Sequence, residues 1–219
     1  MRRRSKFALG AAGLAAASAL TLVFAGGGGP DVASTLADLP IGTAAPAFRL
    51  ADADGRQLSL ADFRGKTVVL EWSNPDCPSV KKHYDSGNMQ KTQAQAAAAG
   101  TVWLTINSSA QGEQGHMTPA AAKALTASQP SRRTAYLLDP KGEVGRRYGA
   151  KATPHMYVVD PGGTLVYRGA IDDKPTTDPA DIAGARNHVL AALGEMKAGK
   201  AVSVPTSRAY GCNVKYADG

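Results

Sequence analysis

The fold of this chain is decided by residues 67–84, which read TVVLEWSNPDCPSVKKHY. The first six residues are almost all apolar and rich in β-branched side chains, a pattern typical of a strand buried on both faces. The sequence Asn-Pro-Asp at 74–76 ends that strand. Pro78 suits the first position of a helix, because proline has no N–H to leave unpaired there. Cys77 is therefore predicted where a central strand ends and a helix begins.

This position favours the thiolate form of Cys77. The N-terminus of a helix carries unpaired N–H groups and a partial positive charge, and both lower the pKa of a cysteine thiol. Lys81 and Lys82 follow one turn further on and add positive charge, whereas Asp76 opposes them. We expect Cys77 to act as a nucleophile.

Strand and helix patterns alternate along the rest of the chain. Beyond the first strand, extended segments are predicted at residues 41–50, 57–60, 101–106, 135–138, 156–159 and 164–167. Helices are predicted to follow Cys77, with a break near residues 85–88, and then at 89–99, 118–128, 143–148 and 178–196. The order indicates an α/β fold, and no internal repeat is visible.

The turn Cys77-Pro78-Ser79-Val80 resembles the active-site turn of the thioredoxin superfamily. Cys77 matches the first cysteine of the Cys-x-x-Cys motif of that superfamily, and Val80 stands where the second would be. The peroxiredoxin motif is also incomplete, because Asn74 replaces its Thr and Leu70 replaces its Pro.

The chain is more similar to a peroxiredoxin-like branch of the redoxins, the thioredoxin family proteins related to AhpC and TSA. The resemblance spans about residues 40 to 219 and is carried by the Asn-Pro-Asp-Cys-Pro turn, residues 106–109, residues 153–155 and Gly211-Cys212. It implies a thioredoxin-like three-layer α/β/α sandwich with a central mixed sheet. The redoxin domain would span residues 41–198, and a C-terminal tail carrying Cys212 would span residues 199–219.

The resemblance also implies site residues and partners. Thr153-Pro154 would be the cis-proline that faces the cysteine, and these two residues, with Pro78, would contact the substrate. Glu71 is either a buried acid near the cysteine, as in thioredoxins, or an outward-facing residue at a strand end. Expected partners are protein or small-molecule thiols and disulfides, or peroxides, together with an external thiol reductant. Neither a cofactor nor a metal is predicted.

The two cysteines of the chain, Cys77 and Cys212, allow a single pairing within it. In one interpretation Cys77 attacks and Cys212 resolves the intermediate, which makes the protein a thiol–disulfide oxidoreductase or antioxidant redoxin. In another the bond is a permanent disulfide worth up to about 5 kcal/mol, in a non-catalytic binding module. A copper-handling protein using Cys77, His83 and His155 is a third alternative. The tail has few apolar residues, and we expect it to be mobile.

The N-terminus indicates export. Residues 2–6 are mostly basic, and residues 7–25 form an uncharged apolar stretch ending in Val-Phe-Ala, which predicts a cleaved signal peptide over residues 1–25. The alternative is an uncleaved membrane anchor, since 19 apolar residues are enough to span a bilayer. Residues 26–40 read as a flexible linker. The formal net charge is +7, of which four charges lie in residues 2–6, so no nucleic-acid partner is expected.

An exported domain would work in the periplasm or another extracytoplasmic, oxidising compartment. A membrane partner is expected only if the N-terminal segment stays uncleaved.

Overall fold

The computed structural model of the protein describes residues 36–217. Its strands are β1 (Arg49–Asp52), β2 (Gln57–Ser59), β3 (Val68–Trp72), β4 (Val102–Asn107), β5 (Ala135–Leu138), β6 (Ala152–Thr153), β7 (His155–Val159), β8 (Leu165–Gly169) and β9 (Cys212–Asn213). Its α-helices are α1 (Pro78–Asp85), α2 (Asn88–Ala98), α3 (Pro119–Ser128), α4 (Glu143–Tyr148) and α5 (His188–Lys197). Two short 3₁₀ turns cover Leu60–Phe63 and Pro179–Gly184.

The main sheet is mixed and has the strand order β2-β1-β5-β4-β3-β7-β8. β3 pairs in parallel with β4, and β4 with β5, whereas β7 pairs antiparallel with β3. All five residues of β3 are buried, as its continuous apolar run predicts. The predicted α/β fold with a central mixed sheet is confirmed.

The sheet separates two apolar layers. Leu70 and Trp72 face one layer, and Val69 faces the other together with Cys77 and Val80 of the following turn and helix. This division follows from the alternation of side chains along a strand. Each fully buried aliphatic side chain stabilises the fold by about 1.5–3 kcal/mol, so the layers hold the end of β3 firmly in place.

The helical region after Cys77 is interrupted, as predicted. Helix α1 ends at Asp85 and α2 begins at Asn88. Gly87 between them has a φ of +75°, a conformation that glycine adopts at little cost. Gly87, and not Asn88, therefore occupies the capping position of α2. The Asn88 side chain instead lies 2.8 Å from Nδ1 of His83.

The last helix begins later than the sequence predicts. Asp178 caps the short 3₁₀ turn Pro179–Gly184, accepting a hydrogen bond from the N–H of Ala180. Helix α5 starts only after Asn187, whose side chain caps it by accepting from the N–H of Leu190 at 2.9 Å. The prediction of a helix from Asp178 was wrong because two capping residues lie nine positions apart, and only the second begins an α-helix.

The N-terminal predictions fall partly outside the described residues. The signal peptide or anchor at residues 1–25 lies there entirely. Within the predicted 26–40 linker, Leu36 and Leu39 pack against the core. Asp38 forms ion pairs with Lys151 at 2.9 Å and Arg168 at 3.3 Å. Residues 36–40 are thus attached to the domain. Between residues 36 and 217, no helix has the length and apolar character needed to cross a membrane.

The C-terminal tail is docked on the domain, contrary to the expectation of a mobile segment. Val214 and Tyr216 are buried, with 2% and 6% of their surfaces exposed. Strand β9 pairs antiparallel with β6 in a second, two-stranded sheet. The N–H of Val214 also donates to the carbonyl of Lys151 at 3.1 Å.

Candidate active site

Cys77 is held by the turn that precedes α1. It occupies the N-cap position with an extended backbone, and the exposed Pro78 is the first residue of the helix. The N–H of Cys77 donates to the carbonyl of Asn74 at 3.1 Å. The Asn74 side chain accepts from the N–H of Asp76 at 2.8 Å, a local contact that fixes the turn. The Asn-Pro-Asp-Cys-Pro sequence therefore places the sulfur at the helix N-terminus, as predicted.

Two main-chain groups meet at the Cys77 sulfur. The thiol donates to the carbonyl of Thr153 at 3.1 Å, and the N–H of Cys212 donates to the sulfur at 3.2 Å. Burial alone would raise the pKa of Cys77, but hydrogen bonds from Cys212, Thr153 and the N–H of Val80 outweigh it and lower that pKa below its usual value. The side chain is 0% exposed, so this sulfur is both activated and covered.

Cys212 has the opposite tendency. Burial, its hydrogen bond with Cys77 and the negative charge of Cys77 raise the pKa of Cys212 to about 12, against a smaller opposing effect of Lys215. Both cysteines are free thiols in this structure, and Cys212 is partly exposed. The pair is therefore asymmetric, with Cys77 the better nucleophile near neutral pH.

Thr153-Pro154 lies directly against this pair. The Thr153–Pro154 peptide bond is cis, as the resemblance implies. Thr153 lies opposite Cys212 in the β6–β9 ladder, and its hydroxyl donates to the Cys212 carbonyl at 3.3 Å. A Cβ atom at Gly211 would lie 2.0 Å from the Thr153 oxygen. The main-chain edge at Thr153 is thus already occupied by the tail of the same chain.

A buried hydrogen-bond network anchors the tail beside the cysteines. The Tyr210 hydroxyl donates to Oδ1 of Asp172 at 2.6 Å and lies 2.9 Å from Nε2 of His83. Sequence reasoning missed Tyr210 and Asp172. The only signal was the closeness of Tyr210 to Cys212, two positions along the chain.

The two histidines considered as metal ligands are engaged in hydrogen bonds. Burial lowers the pKa of His83 to about 4 and that of His155 to about 3. Nδ1 of His155 lies 3.2 Å from the Tyr157 hydroxyl and 3.3 Å from the N–H of Lys151. Over residues 36–217, no three His, Cys, Asp or Glu side chains are grouped so that they could hold a metal ion.

Glu71 faces the interior on the Cys77 side of the sheet. It is 0% exposed, so the outward-facing alternative is wrong. Its carboxylate accepts hydrogen bonds from the Tyr84 hydroxyl at 2.9 Å, Nε1 of Trp103 at 2.8 Å and the Thr105 hydroxyl at 3.0 Å. These donors compensate for burying a carboxylate, which would otherwise be costly.

Asn74, which replaces the peroxiredoxin Thr, is also fully engaged. Its Nδ2 donates to the carbonyl of Gln114 at 3.1 Å. Gly115 packs so closely on it that a Cβ there would lie 2.0 Å from the Asn74 oxygen. Asn74 therefore organises the turn and the loop above it.

Comparison with known proteins places this geometry in a family. A family model described as AhpC/TSA matches residues 41–168. A search of curated protein sequences finds no match.

Solved structures share the fold. A hypothetical protein of Sinorhizobium meliloti 1021 superposes with a TM-score of 0.68 at 26% identity, covering 84% of this chain and 98% of that one. An uncharacterised conserved protein of Geobacillus kaustophilus gives a TM-score of 0.67 at 26% identity, covering 82% and 94%. A structure described as the thiol:disulfide interchange protein DsbE of Chlorobium tepidum gives 0.50 at 26% identity, covering 60% and 85%. The chain belongs to the AhpC/TSA family of thioredoxin-fold redoxins.

Proposed function

We propose that this protein is an exported thiol–disulfide oxidoreductase in which Cys77 attacks and Cys212 resolves. The observation that carries the proposal is the contact between the two residues: the Cys212 N–H donates to the Cys77 sulfur at 3.2 Å. The pKa of Cys77 is lowered and that of Cys212 is raised, so one sulfur is prepared to attack while the other stays protonated.

The reaction is a two-step exchange. The Cys77 thiolate attacks one sulfur of a substrate disulfide, whose S–S bond breaks, and the first substrate thiolate leaves and takes up a proton. Cys212 then loses its proton and attacks the Cys77 sulfur of the mixed disulfide, which releases the second substrate thiolate. The substrate gains two electrons and the Cys77–Cys212 disulfide forms. An external thiol reductant returns those two electrons.

The surroundings of Cys212 explain when it becomes active. Two of the three causes that raise its pKa are its hydrogen bond with Cys77 and the negative charge there. Both disappear once Cys77 is bonded to substrate sulfur, because the Cys77 thiolate no longer exists. The pKa of Cys212 should then fall, leaving burial as the remaining cause of its rise. The resolving thiol is thus activated only after the first step has occurred.

Access to Cys77 requires movement of the tail. The sulfur is 0% exposed, and β9 covers the edge of Thr153 that an extended substrate would pair with. Substrates are protein or small-molecule disulfides that reach the sulfur when residues near Cys212 shift, with Pro78, Thr153 and Pro154 as the contact surface.

The alternatives have less support. A structural disulfide is not needed to attach the tail, because Val214 and Tyr216 are buried while both cysteines are free. Peroxide reduction lacks the Thr of the peroxiredoxin motif, and the Asn74 amide is bonded to Gln114. Export rests on residues 1–25, whose basic start and apolar stretch are typical of a signal peptide.

A stoichiometric reaction with oxidised glutathione tests the proposal. One equivalent of reduced protein should convert one equivalent of the disulfide to two thiols and should lose two hydrogen atoms in mass. Peptide mapping should find Cys77 joined to Cys212. The Cys77→Ser variant should release no thiol. Glutathione remaining bound to Cys77 in the wild type, with Cys212 still free, would contradict the role of Cys212.

A further inference from the structure

We propose that Tyr210 is a positioning residue for the cysteine pair. Its hydroxyl ties the tail to the helix that carries Cys77, and so keeps the Cys212 N–H on the Cys77 sulfur. This inference rests on the proposed function for its significance, and on geometry of its own for its support.

The hydroxyl belongs to a directed chain of hydrogen bonds. Tyr210 donates to Oδ1 of Asp172 at 2.6 Å, so its oxygen is left to accept from Nε2–H of His83 at 2.9 Å. With Nε2 protonated, Nδ1 of neutral His83 accepts from the Asn88 amide at 2.8 Å. The order Asn88, His83, Tyr210, Asp172 satisfies every group in the chain with a consistent direction.

The network depends on the tyrosine hydroxyl. Asp172 and His83 are 3% and 0% exposed, and Oδ2 of Asp172 has no hydrogen-bond partner within residues 36–217. Besides Tyr210, the other donor to Oδ1 is the N–H of Lys174 at 3.1 Å. Removing the hydroxyl would leave a buried carboxylate and a buried imidazole N–H poorly satisfied, which is costly in the interior.

The network joins both partners of the cysteine pair. His83 lies in α1, the helix whose N-cap is Cys77. Tyr210 lies two positions before Cys212, and the residue between them is Gly211, whose Cα lies so close to Thr153 that a Cβ would overlap its oxygen. Little slack therefore separates the anchored tyrosine from the contact between Cys212 and Cys77.

The tail offers a matched control. Tyr216 is also buried and also hydrogen-bonds the domain, donating to the carbonyl of Ala150 at 2.8 Å. It lies beyond Cys212 and outside the His83–Asp172 network. Tyr216→Phe therefore removes a tail hydrogen bond of similar length from a tyrosine that does not link the two cysteines.

Two quantities should be measured on Tyr210→Phe, Tyr216→Phe and the wild type. The first is the equilibrium constant for forming the Cys77–Cys212 disulfide with glutathione. The second is the pKa of Cys77, from thiolate absorbance of the reduced protein. Tyr210→Phe should lower the equilibrium constant about tenfold, equivalent to about 1.4 kcal/mol, and should raise the pKa of Cys77. Tyr216→Phe should change the equilibrium constant less than twofold and leave that pKa in place.

Each result has a defined meaning. Unchanged values for a folded Tyr210→Phe, or equal changes in both variants, would overturn the positioning role. If the wild type forms no Cys77–Cys212 disulfide, the oxidoreductase proposal fails, and the pKa of Cys77 still decides the role of Tyr210. If Tyr210→Phe does not fold, Asp172→Asn replaces it, since it keeps an oxygen acceptor and should shift both values less far in the same direction. No shift in that folded variant would count against the proposal.

Discussion

Thr153 and Cys212 lie opposite each other in an antiparallel pair, and the main chains of both reach the same sulfur. The carbonyl of Thr153 accepts the hydrogen bond of the Cys77 thiol, and the N–H of Cys212 donates to its sulfur. The acceptor suits the thiol and the donor suits the thiolate, so this pair of groups can accompany Cys77 through both protonation states.

The two thiols should titrate separately. In the reduced protein, thiolate absorbance should show one transition below the usual cysteine pKa of about 8.5. It belongs to Cys77, because hydrogen bonds from Cys212 and Thr153 lower its pKa despite burial. Cys212, with a pKa of about 12, should remain protonated there. Cys77→Ser should abolish the transition, and its persistence in that variant would contradict the assignment.

The Cys212→Ser variant should trap mixed disulfides. Without a resolving sulfur, Cys77 remains bonded to substrate, and non-reducing gels or intact mass should detect the adduct. The melting temperature should change little, because Val214 and Tyr216 hold the tail by burial. Cys77→Ser serves as the control that traps nothing. A large stability loss with no adduct would favour the structural disulfide.

Reaction with hydrogen peroxide should be slow. The Asn74 side chain contacts Asp76 and Gln114 in the turn, so the Thr that peroxiredoxins carry at this position has no substitute there. Stopped-flow oxidation of the reduced protein should give a rate constant close to that of free cysteine, compared at the same thiolate fraction. A rate constant orders of magnitude higher would restore the peroxidase alternative.

Gly211→Ala should uncover Cys77. A methyl group there would lie 2.0 Å from the Thr153 oxygen, and the φ of Gly211 is +113°, so the tail must shift. Iodoacetamide should then alkylate Cys77 at least severalfold faster than in the wild type. Gly199→Ala is the matched control, since Gly199 also has a positive φ, +70°, but no atom within 4 Å of the added carbon. Equal rates in both variants would show that the tail does not limit access.

The protein should lose stability as the pH falls from about 6.5 to about 4. In the unfolded chain histidines titrate near 6.5, whereas burial lowers the pKa of His83 to about 4 and that of His155 to about 3. In this range the unfolded state binds more protons, so acidification favours unfolding. Urea unfolding near pH 7 and near pH 4.5 measures the effect.

A His83→Gln variant should show a smaller decrease between those two pH values, since it removes one of the buried titrating groups. The same decrease as in the wild type would mean that His83 does not contribute.

The sequence was most informative where local signals were strong. The β-branched run at residues 67–72 and the proline turn after it predicted β3, the start of α1 and the place of Cys77, because such patterns depend on neighbouring residues. The position of the cis bond at Thr153–Pro154 came from resemblance. Nothing in the local sequence distinguishes it from an ordinary trans proline.

The tail could not be predicted in the same way. Val214 and Tyr216 are buried against residues far away in the chain, and two apolar side chains give no recognisable period. The network of Tyr210 likewise joins residues from α1, the segment after β8 and the tail. Such contacts are set by tertiary packing, so composition alone wrongly suggested a mobile segment.

The pairing of β6 with β9 also bears on which partners the protein can select. Because the tail is tethered to the domain, it competes for the Thr153 edge at a local concentration on the order of millimolar. An extended polypeptide must bind that edge more tightly than this internal competitor, whereas a small disulfide needs only a brief opening near Cys212. The docked tail thus acts as a filter that rejects weakly bound protein segments.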